Sequence, residues 1–407
     1  MKKIFFILLI LLSPQAISYS QWVQQNSGIN GTLYYVFFAN QNTGYSIGEA
    51  LLKTTNGGTN WTSLTGSGTC IYFLNPDTGF LGYSVGTNSG IGKTTNGGLN
   101  FTITNLSLGS ANSISFINAL TGWAAFGIQG FGNIYKTTNG GINWFNVNTT
   151  QGQTYVKFFN ANTGYAEGYY YGLRKSTDGG LTWSFVPQGA MGVVVYAIDT
   201  NIVYQASYSG HIYRTTNSGT SWDTLQSGVT TSVWSFSFPN SATGYAVGGY
   251  TNNQIILCTT NGGNNWVNTG AVNSSGLNSV CFINPSTGWA VGDNGTILKT
   301  TNGGGLVGIQ PLSEQIPPDF HLYQNFPNPF NPETKIKFDL PPEKNKEAVK
   351  LVIYDILGNQ IEQLVNELLD PGSYEVLWNA SSFPSGIYFA RVQTGNRTET
   401  IKMALLK

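Results

Sequence analysis

The stretch KSTDGGLTW, Lys175 to Trp183, constrains this chain more than any other, because six near-copies of its first six residues lie elsewhere. The seven copies begin at Lys53, Lys93, Lys136, Lys175, Arg214, Cys258 and Lys299, with successive starts 40, 43, 39, 39, 44 and 41 residues apart. A supersecondary unit repeated at that period cannot bury its apolar face alone and must stack on its neighbours. A period near forty is that of one four-stranded propeller blade.

The residues of the repeat explain its recurrence. Ser176 and Asp178 are short side chains that hydrogen-bond backbone amides nearby, and Gly179 and Gly180 accept positive φ, so the copy reads as a tight turn between strands. Trp183 then opens the next strand and covers the turn. The pattern S-x-D-x-G-x-T-W resembles the Asp-box of bacterial neuraminidase-like repeats. The other copies carry Asn for Asp (Asn56, Asn96, Asn139, Asn217, Asn261, Asn302). That exchange keeps the acceptor and drops the charge, so the turn needs geometry more than ionisation.

Closure of the ring is legible at the chain's two ends of this region. Six repeats follow the marker with an aromatic: Trp61, Phe101, Trp144, Trp183, Trp222 and Trp266. The seventh reads GGGLVGIQP after Asn302 and has none, while Trp22 precedes every marker. The expected fold is therefore all-β: a seven-bladed propeller from Gln21 to about Gly304 whose N-terminal strand completes the last blade. Inner strands are expected to carry Phe38, Phe73, Phe116, Phe158, Phe238 and Phe282, and a Thr-Gly turn recurs at Gly44, Gly79, Gly122, Gly164, Gly244 and Gly288. These aromatics read as core. The fifth repeat departs, with Ala197 for Phe and Asn201-Ile202 for Thr-Gly, and is expected to be locally irregular.

Residues 1–20 read as a secretory signal peptide, with Lys2 and Lys3 before the apolar run Ile4 to Leu12 and small residues at Ser18 and Ser20. That run is too short to span a bilayer, and no transmembrane segment is expected in the mature chain. From Gln21 to Gly304 there are seven acidic and eight basic residues, against twelve and nine from Gly305 onward. Two compositions indicate two domains. The near-neutral first domain argues against nucleic acid as a partner. Cys70, Cys258 and Cys281 show no spacing of a disulfide framework or a zinc site, so buried thiols are expected, a Cys258–Cys281 pair being the other reading, and no metal or cofactor.

Residues 305–318 read as a Gly- and Pro-rich linker. From 319 to 407 the alternation of Lys335, Ile336, Lys337 and Phe338, and of Leu351 and Ile353, predicts a small Ig-like β-sandwich. Pro327, Pro329 and Pro332 exclude a central strand there. The segments YQNFPNPFNPET, YDILGNQI, SGIYFARV and the terminal KMALLK resemble the C-terminal sorting domain of the type IX secretion system. The resemblance implies export by a Sec signal, then passage to the extracellular space or the outer-membrane surface, with that secretion machinery as a partner. In the propeller, GWAVGDNGTILKTTNGG from Gly288 to Gly304 is similar to the photosystem II assembly-factor propellers. That resemblance implies the fold. The basic patch of that family is not evident, since Arg174 and Arg214 are the only arginines between Gln21 and Gly304.

Function is expected where the repeats vary. The A–B and marker turns hardly change, whereas the connections between the second and third strands do, and variation on a constant frame marks a recognition face. Phe131, Tyr169, Tyr170, Tyr171, Tyr208 and Tyr250 are the aromatic candidates there, with Glu49 and Asp293 as polar ones, suited to an unidentified extracellular protein or glycan. The alternative is a glycoside hydrolase of neuraminidase-like architecture, using a carboxyl pair from Glu49, Glu167 and Asp293. Two arginines cannot supply the three-arginine clamp which the neuraminidase likeness implies. No catalytic residue is assigned, and His211 and the markers' leading cations are read as a surface histidine and a solvated ring.

Overall fold

The computed structural model describes residues 22–407 except 86–87, 108, 128–131, 149–154, 169–171, 188–193, 270–271, 306–309, 312–315, 343–346, 370 and 381–382. Seven four-stranded antiparallel sheets lie between Val23 and Thr300. We number them I to VII and their strands A to D from the inside out. Sheet I holds Leu33–Phe38, Gly44–Gly48, Leu51–Thr54 and Thr62–Leu64, and the later sheets repeat that order once per marker. Sheet VII departs. Its outer strand is Val23–Gln25, paired with Ile297–Thr300 in the register Val23 to Lys299. The A strands touch in sequence around the ring, and that of sheet VII touches that of sheet I.

Packing between sheets follows one rule. The strand A phenylalanine stacks on the strand B aromatic of the preceding sheet: Phe73 on Tyr45 at 3.7 Å, Phe116 on Phe80 at 4.5 Å, Phe158 on Trp123 at 3.8 Å, Phe238 on Tyr204 at 4.3 Å, Phe282 on Tyr245 at 3.4 Å and Phe38 on Trp289 at 3.4 Å. The strand D tryptophan then meets that phenylalanine edge-on, as Trp61 does Phe38 and Trp144 does Phe116. Trp22 makes the same contact with Phe282, at 5.6 Å and 87°. It is buried, so the N-terminal ring fills the place that the seventh repeat leaves open.

The marker turns are held as their residues require. In sheet III, Thr137 Oγ1 accepts from the buried Gly141 amide at 2.9 Å and donates to Asn139 Oδ1 at 3.0 Å. Asn139 Oδ1 also accepts from the Asn143 amide. Gly140 and Gly141 have φ of 69° and 77°, which a Cβ resists. The A–B turns carry a second device: Asn40 Oδ1 accepts from the amides of Asn42 and Thr43 at 2.9 and 2.8 Å. Asp199 does the same for Asn201 and Ile202. With that turn in place sheet V pairs regularly, against the irregularity expected from its missing Thr-Gly. What sheet V lacks is the aromatic stack on Tyr165, where Ala197, Val186 and Val195 fill the seam.

A second expectation is also corrected. The leading cations form no solvated ring: all six are half-buried, and three of them latch adjacent sheets. Lys53 Nζ donates to Gly97 O at 2.9 Å, Lys136 Nζ to Gly179 O at 3.3 Å, and Arg214 Nη1 to Gly262 O at 2.6 Å. Lys53, Lys136, Lys175 and Lys299 each lie over the strand B aromatic of their own sheet, 4.9 to 5.7 Å from its centroid. The cation thus caps a carbonyl of the next marker turn while its charge rests on a π face. Burial lowers the Lys299 pKa below the usual lysine range. The three cysteines are free thiols, and burial pushes Cys70, Cys258 and Cys281 up to about 12, 12 and 11, which leaves them poor nucleophiles.

Beyond the ring, two further four-stranded sheets face one another. One orders Gln310–Pro311, Gly372–Asn379, Glu333–Leu340 and His321–Leu322; the other orders Gln360–Leu369, Glu347–Tyr354, Gly386–Thr394 and Arg397–Leu405. Ile336, Phe338, Val376 and Trp378 of the first share a core with Leu351, Ile353, Val392 and Met403 of the second. Pro327, Pro329 and Pro332 lie outside the strands, where Phe330 anchors the segment by packing on Trp378 at 5.3 Å. No helix among the described residues is long and apolar enough to cross a membrane.

Candidate functional site

In an antiparallel blade the A–B and C–D turns lie on one face and the B–C connections on the other. The inner strands begin at the second face, and there, among the described residues, four of them carry a β-bulge. Pairing skips from Leu33 to Tyr35, from Ala111 to Ser113, from Val233 to Ser235 and from Leu277 to Ser279. The extra residues are Tyr34, Asn112, Trp234 and Asn278. A bulge re-aims its side chain, and these four are the residues that sequence reasoning missed. Their signal was one residue too many in the inside–outside alternation ahead of each strand A phenylalanine.

Trp234 organises the fullest cluster. Its ring meets Tyr208 edge-on at 5.8 Å and Tyr250 edge-on at 5.7 Å, and its Nε1 donates to Gly249 O at 3.2 Å. Tyr208 is 47% exposed and Tyr250 53%, while Trp234 between them is half-buried. Ser232 ties the pair, its Oγ donating to Tyr208 O at 3.0 Å and lying 3.1 Å from the Tyr250 hydroxyl. Two of the six aromatic candidates thus come together around an unanticipated third ring. Phe131, Tyr169, Tyr170 and Tyr171 lie outside the described residues.

The polar candidates continue the same face. Gly276 sits between Tyr250 and Asp293: a Cβ built there would lie 3.3 Å from Tyr250 Cα and 3.2 Å from Asp293 Oδ2. Asn278, the bulge residue of sheet VII, donates from Nδ2 to Asp293 Oδ1 at 3.3 Å and to Leu33 O at 3.0 Å, which joins sheet VII to sheet I. Glu49 stands in sheet I where Asp293 stands in sheet VII, as the matching bonds Glu49 N to Thr32 O and Asp293 N to Gly276 O show. Glu49 is exposed. A cleft of about 390 Å³ beside Asn294 is lined by Gln24, Gln25, Asn26 and Asn30. A larger one of about 990 Å³ opens on the turn face between sheets I and VII, against Asn40–Thr43 and Thr55, away from the variable connections.

Glu167 is not placed as expected. It lies within strand B of sheet IV, buried to 5% exposure, where the other sheets carry Ile47, Gly82, Ala125, Ala206, Val247 and Val291. Gln205 Nε2 of sheet V donates to its Oε1 at 3.2 Å. Burial pushes the Glu167 carboxyl up to about 8, the Gln205 bond pulling the other way. It therefore belongs to the seam between sheets IV and V. Among the described residues no three His, Cys, Asp or Glu side chains are grouped to hold a metal ion.

With that geometry in place, comparisons decide the family. The model of the photosynthesis system II assembly factor YCF48 matches residues 14–157 and 220–328, more than half of the chain. The chain belongs to this YCF48 family. The gap in the match, 158–219, covers the seam at which the stack is lost and Glu167 meets Gln205. The secretion system C-terminal sorting domain matches residues 324–405, which marks this YCF48-family chain for type IX export to the cell surface or extracellular space. Solved structures of a YCF48 bound to D1 peptide and of YCF48 from Cyanidioschyzon merolae share 18% and 17% identity with it, at TM-scores of 0.59 and 0.56. They cover 70% and 69% of this chain and 99% and 98% of their own. The GH74 enzyme of Niastella koreensis is similar at 15% identity and a TM-score of 0.57, over 93% of this chain and 73% of that one. These likenesses show a propeller. No curated protein matches the chain.

Proposed function

We propose that this secreted propeller protein is a recognition module that binds an extracellular protein or glycan without altering it. The observation behind the reading is the cluster of Tyr208, Trp234 and Tyr250, two exposed rings braced on a half-buried one, on the face where the repeats vary. Large rings with a polar rim are what recognition surfaces use. The peptide-bound YCF48 supplies a precedent for binding by a propeller of this family. We further propose the division of the chain into a signal peptide (1–20), propeller (21–304), linker (305–318) and sorting domain (319–407), with the secretion machinery engaging the last.

A second reading, a glycoside hydrolase, has one observation in its favour. A carboxyl near 8 is protonated at neutral pH, as a general acid must be. Against it, Glu167 is buried, and Asp293 is engaged by Asn278. Peptide and glycan arrays probed with the mature chain, with mass-spectrometric product analysis of each bound glycan, separate the two. Binding without products, lost in Tyr250→Ala, is the expected result. Turnover that disappears in Glu167→Gln or Asp293→Asn would replace the proposal by the hydrolase.

A further inference from the structure

We infer that the ligand of this face is a neutral oligosaccharide, held along an arc from Tyr208 through Trp234 and Tyr250 to Asp293; the inference rests on the recognition reading above. The aromatic end of the arc offers the exposed rings of Tyr208 and Tyr250. A pyranose has a flat C–H face and a hydroxylated rim, and an aromatic face is the negative side of a quadrupole that attracts polarised C–H groups. Trp234 is fixed by its bond to Gly249 O and by the bulge that aims it, so the platform exists before any ligand arrives.

The other end of the arc offers amides. The hairpin after Tyr250 is joined to the segment leading into sheet VII by Asn252 N to Ser274 O at 2.6 Å. That segment reaches Asn294 through Ser275 Oγ at 3.3 Å, and Gln24 through Asn273 Nδ2 at 3.2 Å. The arc therefore runs without a break into the cleft lined by Gln24, Gln25, Asn26, Asn30 and Asn294. An amide presents a donor pair and an acceptor on one plane. A sugar hydroxyl donates and accepts at once, so a wall of amides serves successive hydroxyls where a wall of like charges does not.

Charge and strand edges narrow the choice. The connections 207–211, 251–252, 293–296 and 49–50 contain no lysine or arginine and hold the carboxylates Glu49 and Asp293. A sulfated or uronic sugar is repelled there, whereas a neutral one takes Asp293 as an acceptor. One way for an extended peptide to dock is by adding to an open strand edge. The edges of these sheets are the A and D strands, which run along each sheet and are not the strand ends that make this face.

The test is titration calorimetry of the full mature chain against neutral tetra- to hexasaccharides of glucose, xylose, mannose and N-acetylglucosamine. A sulfated oligosaccharide and a library of short peptides are run beside them. Saturable binding of a neutral sugar is expected, weakened about tenfold by Tyr208→Ala or Tyr250→Ala, abolished by Trp234→Ala and retained by Trp234→Phe. Melting curves of the same variants separate loss of binding from loss of fold, and the exposed tyrosines keep the test decisive if Trp234→Ala is unstable. Binding confined to peptides or to the sulfated sugar, and lost in the same variants, overturns the sugar while the recognition reading stands. Absence of all binding overturns both.

Discussion

Glu167 shows how far a single residue departs from what its sequence position suggests. Its neighbours in the chain place it beside a B–C connection, but the register opposite Tyr155 turns it into the interior against Gln205. Nothing in the sequence announces the Gln205 bond, since the two residues are 38 positions apart and pair only once the sheets stack. Because the carboxyl titrates near 8 when folded and near its ordinary 4.5 when unfolded, the native state binds more protons between those values. Stability from this group is then complete below about pH 4.5, falls as pH rises toward 8 and levels off above it. Glu167→Gln keeps the shape and removes the titration. It is expected to melt like the wild type at pH 4 and to be at least about 1 kcal/mol more stable at pH 8.5, measured by chemical denaturation at both values. Equal stability of the two proteins at pH 8.5 counts against the buried carboxyl. Trp234 is the converse case, a partly exposed tryptophan that composition alone assigns to the core and that only the bulge between Val233 and Ser235 brings to the surface.

The marker turn was the most legible element, because its hydrogen bonds are local and its residues fix them. Asn, Asp, Ser and Thr at set offsets, and two glycines with positive φ, specify the turn with no help from distant contacts. The function of its leading cation was not legible, since the carbonyl it caps belongs to the next repeat, some 44 residues away for Lys53 and Gly97. Two substitutions separate geometry from charge in this element. Thr137→Val deletes the acceptor of the buried Gly141 amide and is expected to cost about 1–3 kcal/mol, read from the shift of the urea midpoint. Asp178→Asn gives the fourth marker the residue of the other six. The Asp178 carboxyl is held down to about 2, chiefly by its bonds from Thr182, but it is only half-buried, and the neutral acceptor makes the same turn. Its melting temperature is therefore expected to stay at the wild-type value at pH 7, and a clear drop there would mean that the charge itself holds the turn.

For the whole molecule the decisive question is what closes the ring. Each sheet but the seventh completes itself from contiguous chain, so six seams form as the chain folds on, whereas the last needs Val23–Gln25 to reach Ile297–Thr300 across the entire length of the propeller. The count of aromatics made this readable, since one repeat lacked its aromatic and one tryptophan lacked a repeat. The face that carries function was readable only as loops that vary, because which rings gather there depends on bulges and on stacking between repeats. Trp22 contributes its buried ring against Phe282, and the strand behind it contributes backbone pairing. Trp22→Ala removes the first alone and, like Trp144→Ala within sheet III, should cost about 3–5 kcal/mol. Deleting residues 21–28 removes both and exposes the edge of Ile297–Thr300, an open template for association with other chains. The deletion is expected to melt well below Trp22→Ala, to lose hydrogen-exchange protection first in sheet VII, and to form higher oligomers on size exclusion. If it melts like Trp22→Ala with sheet VII still protected, the ring alone makes the closure and the terminal strand only delivers it. Melting at the wild-type temperature would show that the ring does not close through its N terminus at all.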